Sequence, residues 1–120
     1  MDIAATIKTP AVNIKSGRMR IAGRSIHENS SLFYSALNEL LENPYGYSDP
    51  ITQIDLSFEY LNGSSVRCLV SMIRILEKAH VQGNSIAINW FYYTDDESMY
   101  DLGKLLQSIT LIPFNIIMKD

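Results

Sequence analysis

Apolar and polar residues alternate along five segments of the chain, and this two-residue period is typical of β-strands with one buried face. Ser16-Gly17 separates the first two segments, so they form a predicted hairpin in which Gly17 supplies the positive φ of the turn. The predicted strands are residues 10–15, 18–24, 54–60 (Ile54, Leu56, Phe58 and Tyr60 on one face), 85–93 and a final strand from Phe114.

Three other segments repeat apolar residues with the period of an α-helix. Their apolar residues are Phe33, Ala36, Leu37, Leu40 and Leu41; then the run from Ser64 to His80; then Met99, Leu102, Leu106 and Ile109. Asn29 or Ser30 is expected to cap the first helix, and Asn43-Pro44 with Gly46 to end it. Thr94 and Glu97 have the spacing of a capping box at the start of the third helix.

The predicted element order is β-β-α-β-α-β-α-β, within one domain of 120 residues. Two successive β-α-β units imply parallel strands joined by right-handed crossovers, and the hairpin adds an antiparallel pair. The predicted class is therefore α/β (α+β), with a mixed sheet of about five strands and three main helices. No repeat or interdomain linker is visible in residues 1–120.

Composition narrows the functional classes. Hydrophobic residues make up 47% and charged residues 19%, which favours a packed core over disorder. The net charge is −3 and no basic block occurs, so a nucleic-acid partner is not expected. Neither a secretory signal nor an apolar run long enough for a membrane span is found, and the expected location is the cytoplasm.

Few residues point to cofactor or metal chemistry, and we predict no cofactor and no metal. His27, His80 and the single Cys68 lack ligand spacing, and Cys68 has the apolar neighbours of a buried, unreactive thiol. Nucleotide-binding and nucleophile motifs are absent. A small enzyme using Asp55, Glu59 or the carboxylates of 95–97 is a remote alternative, because a helix start explains the last group better.

The segment 62–65, Asn-Gly-Ser-Ser, lies between the central strand and the second helix. Helix N-termini present free N–H groups and partial positive charge, so this hydroxyl-rich turn is either a phosphate-controlled switch or a simple helix cap. The helix carries a narrow polar stripe of Arg67, Ser71, Arg74 and Lys78. Its remaining apolar surface is explained by packing on two sides, or by a partner that meets Cys68, Met72 and Ile75 at the helix edge.

Several short motifs, in order and spacing, give a resemblance to a known family. They are Thr9-Pro10, Gly17-Arg18-Met19, Gly23-Arg24-Ser25, His27-Glu28-Asn29, the segment 55–62 (DLSFEYLN), Ser64-Ser65, the segment 89–92 (NWFY), the segment 95–99 (DDESM) and the segment 111–114 (LIPF). Across nearly the whole chain, the sequence resembles the SiaC-type regulatory phosphoproteins of bacteria, which share the STAS fold of anti-anti-sigma factors.

The resemblance implies a non-enzymatic partner-switching module. A Ser/Thr kinase would phosphorylate a hydroxyl in the turn after the central strand, and a PP2C-type phosphatase would remove the phosphate. The unphosphorylated protein would bind and activate a diguanylate cyclase, which links it to cyclic-di-GMP and biofilm behaviour. The implied partner surface is Asn62, Gly63, Ser64, Ser65, Cys68, Met72 and Ile75.

Gly63 departs from the family pattern at the position that matters most. The family's phosphoacceptor is a threonine directly after the asparagine of this turn, and glycine has no hydroxyl. Either Ser64 or Ser65 is then the phosphorylation site, or the chain is permanently unphosphorylated, or it serves only as a binding module. A further alternative is an anti-sigma-factor antagonist with a different partner.

Overall fold

The computed structural model of the chain describes residues 2–42 and 50–120. In chain order, the elements of these residues are β1 (Asp2–Ile3), β2 (Ala11–Lys15), β3 (Arg18–Ser25), α1 (Ser30–Glu42), β4 (Gln53–Leu61), α2 (Gly63–Val81), β5 (Ala87–Tyr93), α3 (Glu97–Ser108) and β6 (Phe114–Lys119). The predicted order is confirmed, with one short strand added at its start. The expected helix stop at Asn43-Pro44 and Gly46 lies outside the described residues.

The strands form one sheet in sequence order, from β1 to β6. Strands β1, β2 and β3 pair antiparallel, and β3, β4, β5 and β6 pair parallel. This is the predicted mixed α/β sheet, although the described residues contain six strands instead of about five. Strand β1 escaped prediction because two residues, Asp2 and Ile3, are too short to show a period.

Neighbouring parallel strands joined by right-handed crossovers place α1, α2 and α3 on the same face of the sheet. Helix α1 packs against α2, while α3 packs against β5 and β6. The core lies between these helices and the sheet, and its largest buried side chains include Trp90, Tyr34, Ile54, Leu56, Leu69 and Ile88. The opposite face of the sheet has no helix over it among the described residues.

The buried stripe of α1 differs by one position from the prediction. Tyr34 and Leu37 are buried, whereas Ala36 is exposed. Tyr34 was not part of the predicted stripe; its polar hydroxyl can be buried because it has a buried hydrogen-bond partner, as described below.

Tyr60 was predicted on the apolar face of β4, and this is wrong. Phe58 pairs with Gly23 and Tyr60 pairs with Arg24, so β4 contains one extra residue, a β-bulge at Glu59. The bulge turns Tyr60 to the open face, where it is 59% exposed and lies under the guanidinium of Arg24. Leu61 then follows on the helix side, paired with Ser25.

Two predicted turns have opposite outcomes. The β2–β3 hairpin is confirmed, with φ of 51° at Ser16 and 79° at Gly17. The capping box at Thr94 is wrong: the N-cap of α3 is Asp96, whose carboxylate accepts from the N–H of Met99. Thr94 instead bonds to the carbonyl of Lys119 at the end of β6, which holds it outside the helix.

Within residues 2–42 and 50–120, no helix combines the length and the apolar character needed to cross a bilayer.

Candidate functional site

The turn at 62–65 lies where two strands end and two helices begin. Strands β3 and β4 end at Ser25 and Leu61, and helices α1 and α2 start at Ser30 and Gly63. In parallel sheets this carboxyl end of the strands is the usual place for binding sites. The N-termini of α1 and α2 therefore lie together at the carboxyl end of the parallel strands.

Asn62 joins these four elements. Its side-chain oxygen caps α2 by accepting from the N–H of Ser65 at 2.8 Å, and its amide nitrogen donates to the carbonyl of His27 at 3.1 Å. The backbone N–H of Asn62 donates to the carbonyl of Ser25 at 3.1 Å. With backbone and side chain both used, Asn62 holds the turn in one conformation.

Ser65 lies at the centre of a buried cluster of hydroxyl groups and is 0% exposed. Its hydroxyl donates to the carbonyl of Ser25 at 2.8 Å and accepts from the Ser25 hydroxyl at 2.7 Å. The hydroxyl of Ser30 lies 2.9 Å away, and that of Tyr34 lies 2.8 Å from the Ser25 hydroxyl. Ser65 thus binds β3 and α1 to the start of α2, and no space remains at its oxygen for a phosphate.

The environment of Tyr34 disfavours its ionisation. Burial raises the pKa of Tyr34 to about 12, and the hydrogen bond with Ser25 opposes this rise in part. At ordinary pH the phenol therefore stays protonated and donates to the Ser25 hydroxyl, because that hydroxyl already donates to Ser65.

Gly63 and Ser64 form the accessible part of the turn. Gly63 is exposed, its φ is not positive, and a Cβ placed there would have Arg67 Nη1 at 3.9 Å as its nearest neighbour. A threonine therefore fits at this position without strain. Ser64 is half-buried, and among the described residues its hydroxyl makes no hydrogen bond.

The surface of α2 is polar along one line, as predicted. Arg67, Ser71, Arg74 and Lys78 are all exposed. Arg74 forms an ion pair with Glu77 and donates a hydrogen bond to the carbonyl of Ile109, so it also connects α2 to the end of α3. Within this stripe, Arg67 is the residue nearest the 62–65 segment, because it lies one helical turn after Gly63.

The predicted edge residues of α2 have three different environments. Met72 is 1% exposed and belongs to the core cluster, so its placement at the helix edge is wrong; its flexible, apolar side chain suits a core position. Cys68 is half-buried, and burial raises the pKa of its thiol, as expected of an unreactive cysteine. Ile75 is half-buried and lines a cavity of ≈ 500 Å³ with the end of α1.

The acidic groups considered for catalysis are separated. Asp55 is buried on the open face of the sheet, where it accepts from Asn89 at 2.9 Å and faces Arg18 at 3.3 Å. Glu59 is exposed beside Arg24, and the carboxylates of 95–97 lie at the start of α3. None of them lines the ≈ 500 Å³ cavity or a second cavity of ≈ 740 Å³ near the hairpin. Within the described residues, no three metal-ligating side chains converge.

Sequence patterns missed three members of the hydroxyl cluster, namely Ser25, Ser30 and Tyr34. Ser25 was noted only within a motif, and Ser30 only as a helix cap. They come from separate elements, and no periodic pattern connects residues 25, 30, 34 and 65. Only their polar character at buried positions of a strand and a helix could have suggested them.

We predict unequal effects for the two serines of the turn. Ser65→Ala removes one of the two hydrogen bonds that the buried Ser25 carbonyl accepts, and it removes the acceptor of the Ser25 hydroxyl, so the free energy of unfolding in urea should fall by about 1–3 kcal/mol. Ser64→Ala removes no described hydrogen bond and should change it by about 0.5 kcal/mol or less. Equal losses for the two variants would contradict the assignment of Ser65 as the structural serine.

Tyr34 should make the protein sensitive to alkaline pH. Its pKa is about 12 in the folded protein and near 10 in an unfolded chain, so the unfolded state loses its proton first. The stabilisation is complete below pH 10 and is lost as the pH rises toward 12. Urea unfolding at several pH values should show this fall, and Tyr34→Phe should reduce it. An identical pH profile for Tyr34→Phe would exclude Tyr34 as the cause.

Comparisons with known proteins agree with this geometry. The family model described as SiaC family regulatory phosphoprotein matches residues 3–119. An uncharacterised protein of Pseudomonas aeruginosa strain UCBPP-PA14 is 27% identical over 118 residues, covering 97% of this chain and 94% of that protein.

Solved structures of SiaC from Pseudomonas aeruginosa are similar over almost the full length. The apo form has a TM-score of 0.85 at 28% identity, covering 98% of this chain and 97% of that one. SiaC in complex with the diguanylate cyclase SiaD, which it activates, has a TM-score of 0.89 at 27% identity, with 99% of both chains covered. The chain belongs to the SiaC family of regulatory phosphoproteins.

Proposed function

We propose that this protein is a non-enzymatic activator of a diguanylate cyclase, and that it binds its partner through the 62–65 turn and the adjoining surface of α2. The observation that carries the proposal is the likeness to SiaC in its complex with SiaD, at a TM-score of 0.89 over 99% of the chain. The output would be cyclic-di-GMP and, through it, biofilm behaviour. A cytoplasmic location is part of the proposal, because the product of the partner is an intracellular messenger.

The chemistry of the turn suits a protein partner. Gly63 is exposed, Ser64 is half-buried, and Cys68 adds a half-buried apolar side chain one turn further along α2. A partner covering this surface would meet free N–H groups of the helix start and the Arg67 guanidinium. Asn62 holds this surface in a single conformation before binding, which lowers the entropy cost of association.

A phosphate on this surface would oppose binding. It adds about 1.5–2 negative charges, which a partner could cover only by desolvating them. On a threonine at position 63 it would lie near Arg67 Nη1, so this chain keeps a cation that could hold the phosphate.

We infer that the switch has no efficient acceptor in this chain. Gly63 lacks a hydroxyl, and the Ser65 hydroxyl is buried and fully bonded. Ser64 is the one remaining candidate in the turn, but a half-buried serine is a poor substitute for an exposed residue. The Ser/Thr kinase and PP2C-type phosphatase implied by the family would then control relatives with a threonine at this position, while this protein stays competent to bind.

An anti-sigma factor is the alternative partner, and it would bind the same surface of this protein. The complex of SiaC with a diguanylate cyclase favours the cyclase. Separate binding titrations with a diguanylate cyclase and with an anti-sigma factor distinguish the two.

We predict that a negative charge at position 63 blocks cyclase binding. Gly63→Asp should weaken binding of the cognate cyclase by about tenfold or more, while Gly63→Asn, of the same shape without charge, should stay near the wild-type affinity. Unfolding cannot explain a loss, since an acidic residue in the first turn stabilises a helix by about 0.3–1 kcal/mol. Isothermal titration calorimetry and cyclic-di-GMP production measure the two effects.

Two outcomes would count against the proposal. Wild-type protein that neither binds nor activates the cyclase would remove the function. Equal binding by Gly63→Asp and wild type would leave the function in place but move the docking surface away from the turn.

A further inference from the structure

Strand β6 leaves one side of its backbone without a partner strand. It is the last strand of the sheet, and within the described part of the chain only β5 pairs with it. The carbonyls of Pro113 and Lys119 accept from the N–H groups of Ile88 and Thr94. Because a parallel ladder uses alternate residues, Asn115 and Ile117 also face β5, whereas Phe114, Ile116 and Met118 direct their N–H and C=O groups outward.

This edge lacks the usual protection against pairing. Edge strands are commonly blocked by charges, proline or bulges, but β6 pairs with β5 in unbroken register and has no proline inside it. Its one charged side chain, Lys119, is folded over the open face, with Nζ 4.7 Å from the ring centre of Tyr93. The outward carbonyl of Phe114 is occupied by the Gln107 side chain at 2.8 Å.

Apolar side chains surround the free edge. Met118 is 56% exposed and Ile117 is 37% exposed, on opposite faces of the strand. Tyr100 of α3 is also exposed, and its ring centre lies 5.1 Å from that of Tyr92, the β5 residue in register with Met118. Exposed apolar residues on both sides of an unpaired strand are typical of a surface that pairs with another strand.

We propose that two copies of this protein associate through β6, antiparallel about a two-fold axis at Ile117, to form one continuous sheet. Ile116 of each copy then pairs with Met118 of the other, and each pair exchanges both backbone hydrogen bonds. An axis at Ile116 would instead use the Phe114 carbonyl, which Gln107 already occupies. The axis at Ile117 uses only free groups and brings the two Ile117 side chains together.

Charges on α3 fit the same arrangement. Gln107, near the end of α3, bonds to Phe114 at the start of β6. Tyr100, near the start of α3, contacts Tyr92, which pairs with Met118 near the end of β6, so α3 runs antiparallel to β6. The two-fold axis therefore sets Lys104 of one copy opposite the acidic first turn of the other copy's α3, at Glu97. These opposite charges favour pairing of β6 with a second copy of this chain over pairing with a strand of unrelated sequence.

Proline at position 118 is a selective test, because the Met118 N–H faces outward. Met118→Pro leaves the β5–β6 ladder intact and should weaken dimerisation by about 100-fold, since one N–H is lost in each copy. Met118→Val keeps the N–H and is the matched control. Sedimentation equilibrium should show the mass of two chains for wild type and Met118→Val, and the mass of one chain for Met118→Pro, with circular dichroism to verify folding.

A second pair keeps the test decisive if Met118→Pro does not fold. Ile117→Lys sets two like charges against each other at the axis and should give single chains, while Ile117→Thr should remain paired. Single chains for wild type at every concentration would overturn the proposal, as would a dimer that both Met118→Pro and Ile117→Lys leave unchanged. Neither result bears on cyclase binding, because the 62–65 turn lies at the end of β4, two strands away.

Discussion

The hydrogen bonds of Asn62 and Ser65 are the constraint on which the rest of the site depends. The carbonyl of Ser25 accepts hydrogen bonds from the Ser65 hydroxyl and from the backbone N–H of Asn62. The carbonyl of His27 accepts one from the side-chain amide of Asn62. Through them, the end of β3, the approach to α1 and the start of α2 share one junction. These hydrogen bonds hold the two helix N-termini beside the ends of the strands.

This junction assigns different tasks to neighbouring residues of one short turn. The side chains of Asn62 and Ser65 point into the protein and make several hydrogen bonds each, whereas Gly63 is exposed and Ser64 is half-buried. The helical geometry explains this division, because a cap and the residue three positions later face the same side of the helix start. The exposed residue at position 63 can therefore be changed without disturbing the junction that presents it. Gly63 has no positive φ, and a Cβ added there would have Arg67 Nη1 at 3.9 Å as its nearest neighbour, so a small side chain fits.

Much of the fold could be predicted from alternation and helical periodicity, because these patterns report directly which side of each element is buried. The errors have local physical causes. The bulge at Glu59 reverses the alternation for Tyr60, and a single inserted residue has no signature in polarity. Asp96 replaces Thr94 as the cap of α3, because Thr94 is bound to the last strand, and such a tertiary contact is invisible in a four-residue motif.

The site was predicted less completely than the fold. The turn itself follows from the motif and from the strand-to-helix transition, and the polar stripe at Arg67, Ser71, Arg74 and Lys78 follows from spacing. The difference between Ser64 and Ser65 does not, since it depends on Ser25 and Tyr34 meeting Ser65 in space. For the same reason, Met72 belongs to the core although its place on the helix wheel is compatible with an edge.

We propose that this protein presents the docking surface of its family without the phosphate acceptor whose modification would oppose docking. The most direct measurement is the affinity of the cognate cyclase for the wild-type chain before and after incubation with the cognate kinase and ATP, with intact mass recorded on the same sample. We expect an unchanged affinity and an unshifted mass. Stoichiometric phosphate on Ser64 together with loss of cyclase binding would contradict it.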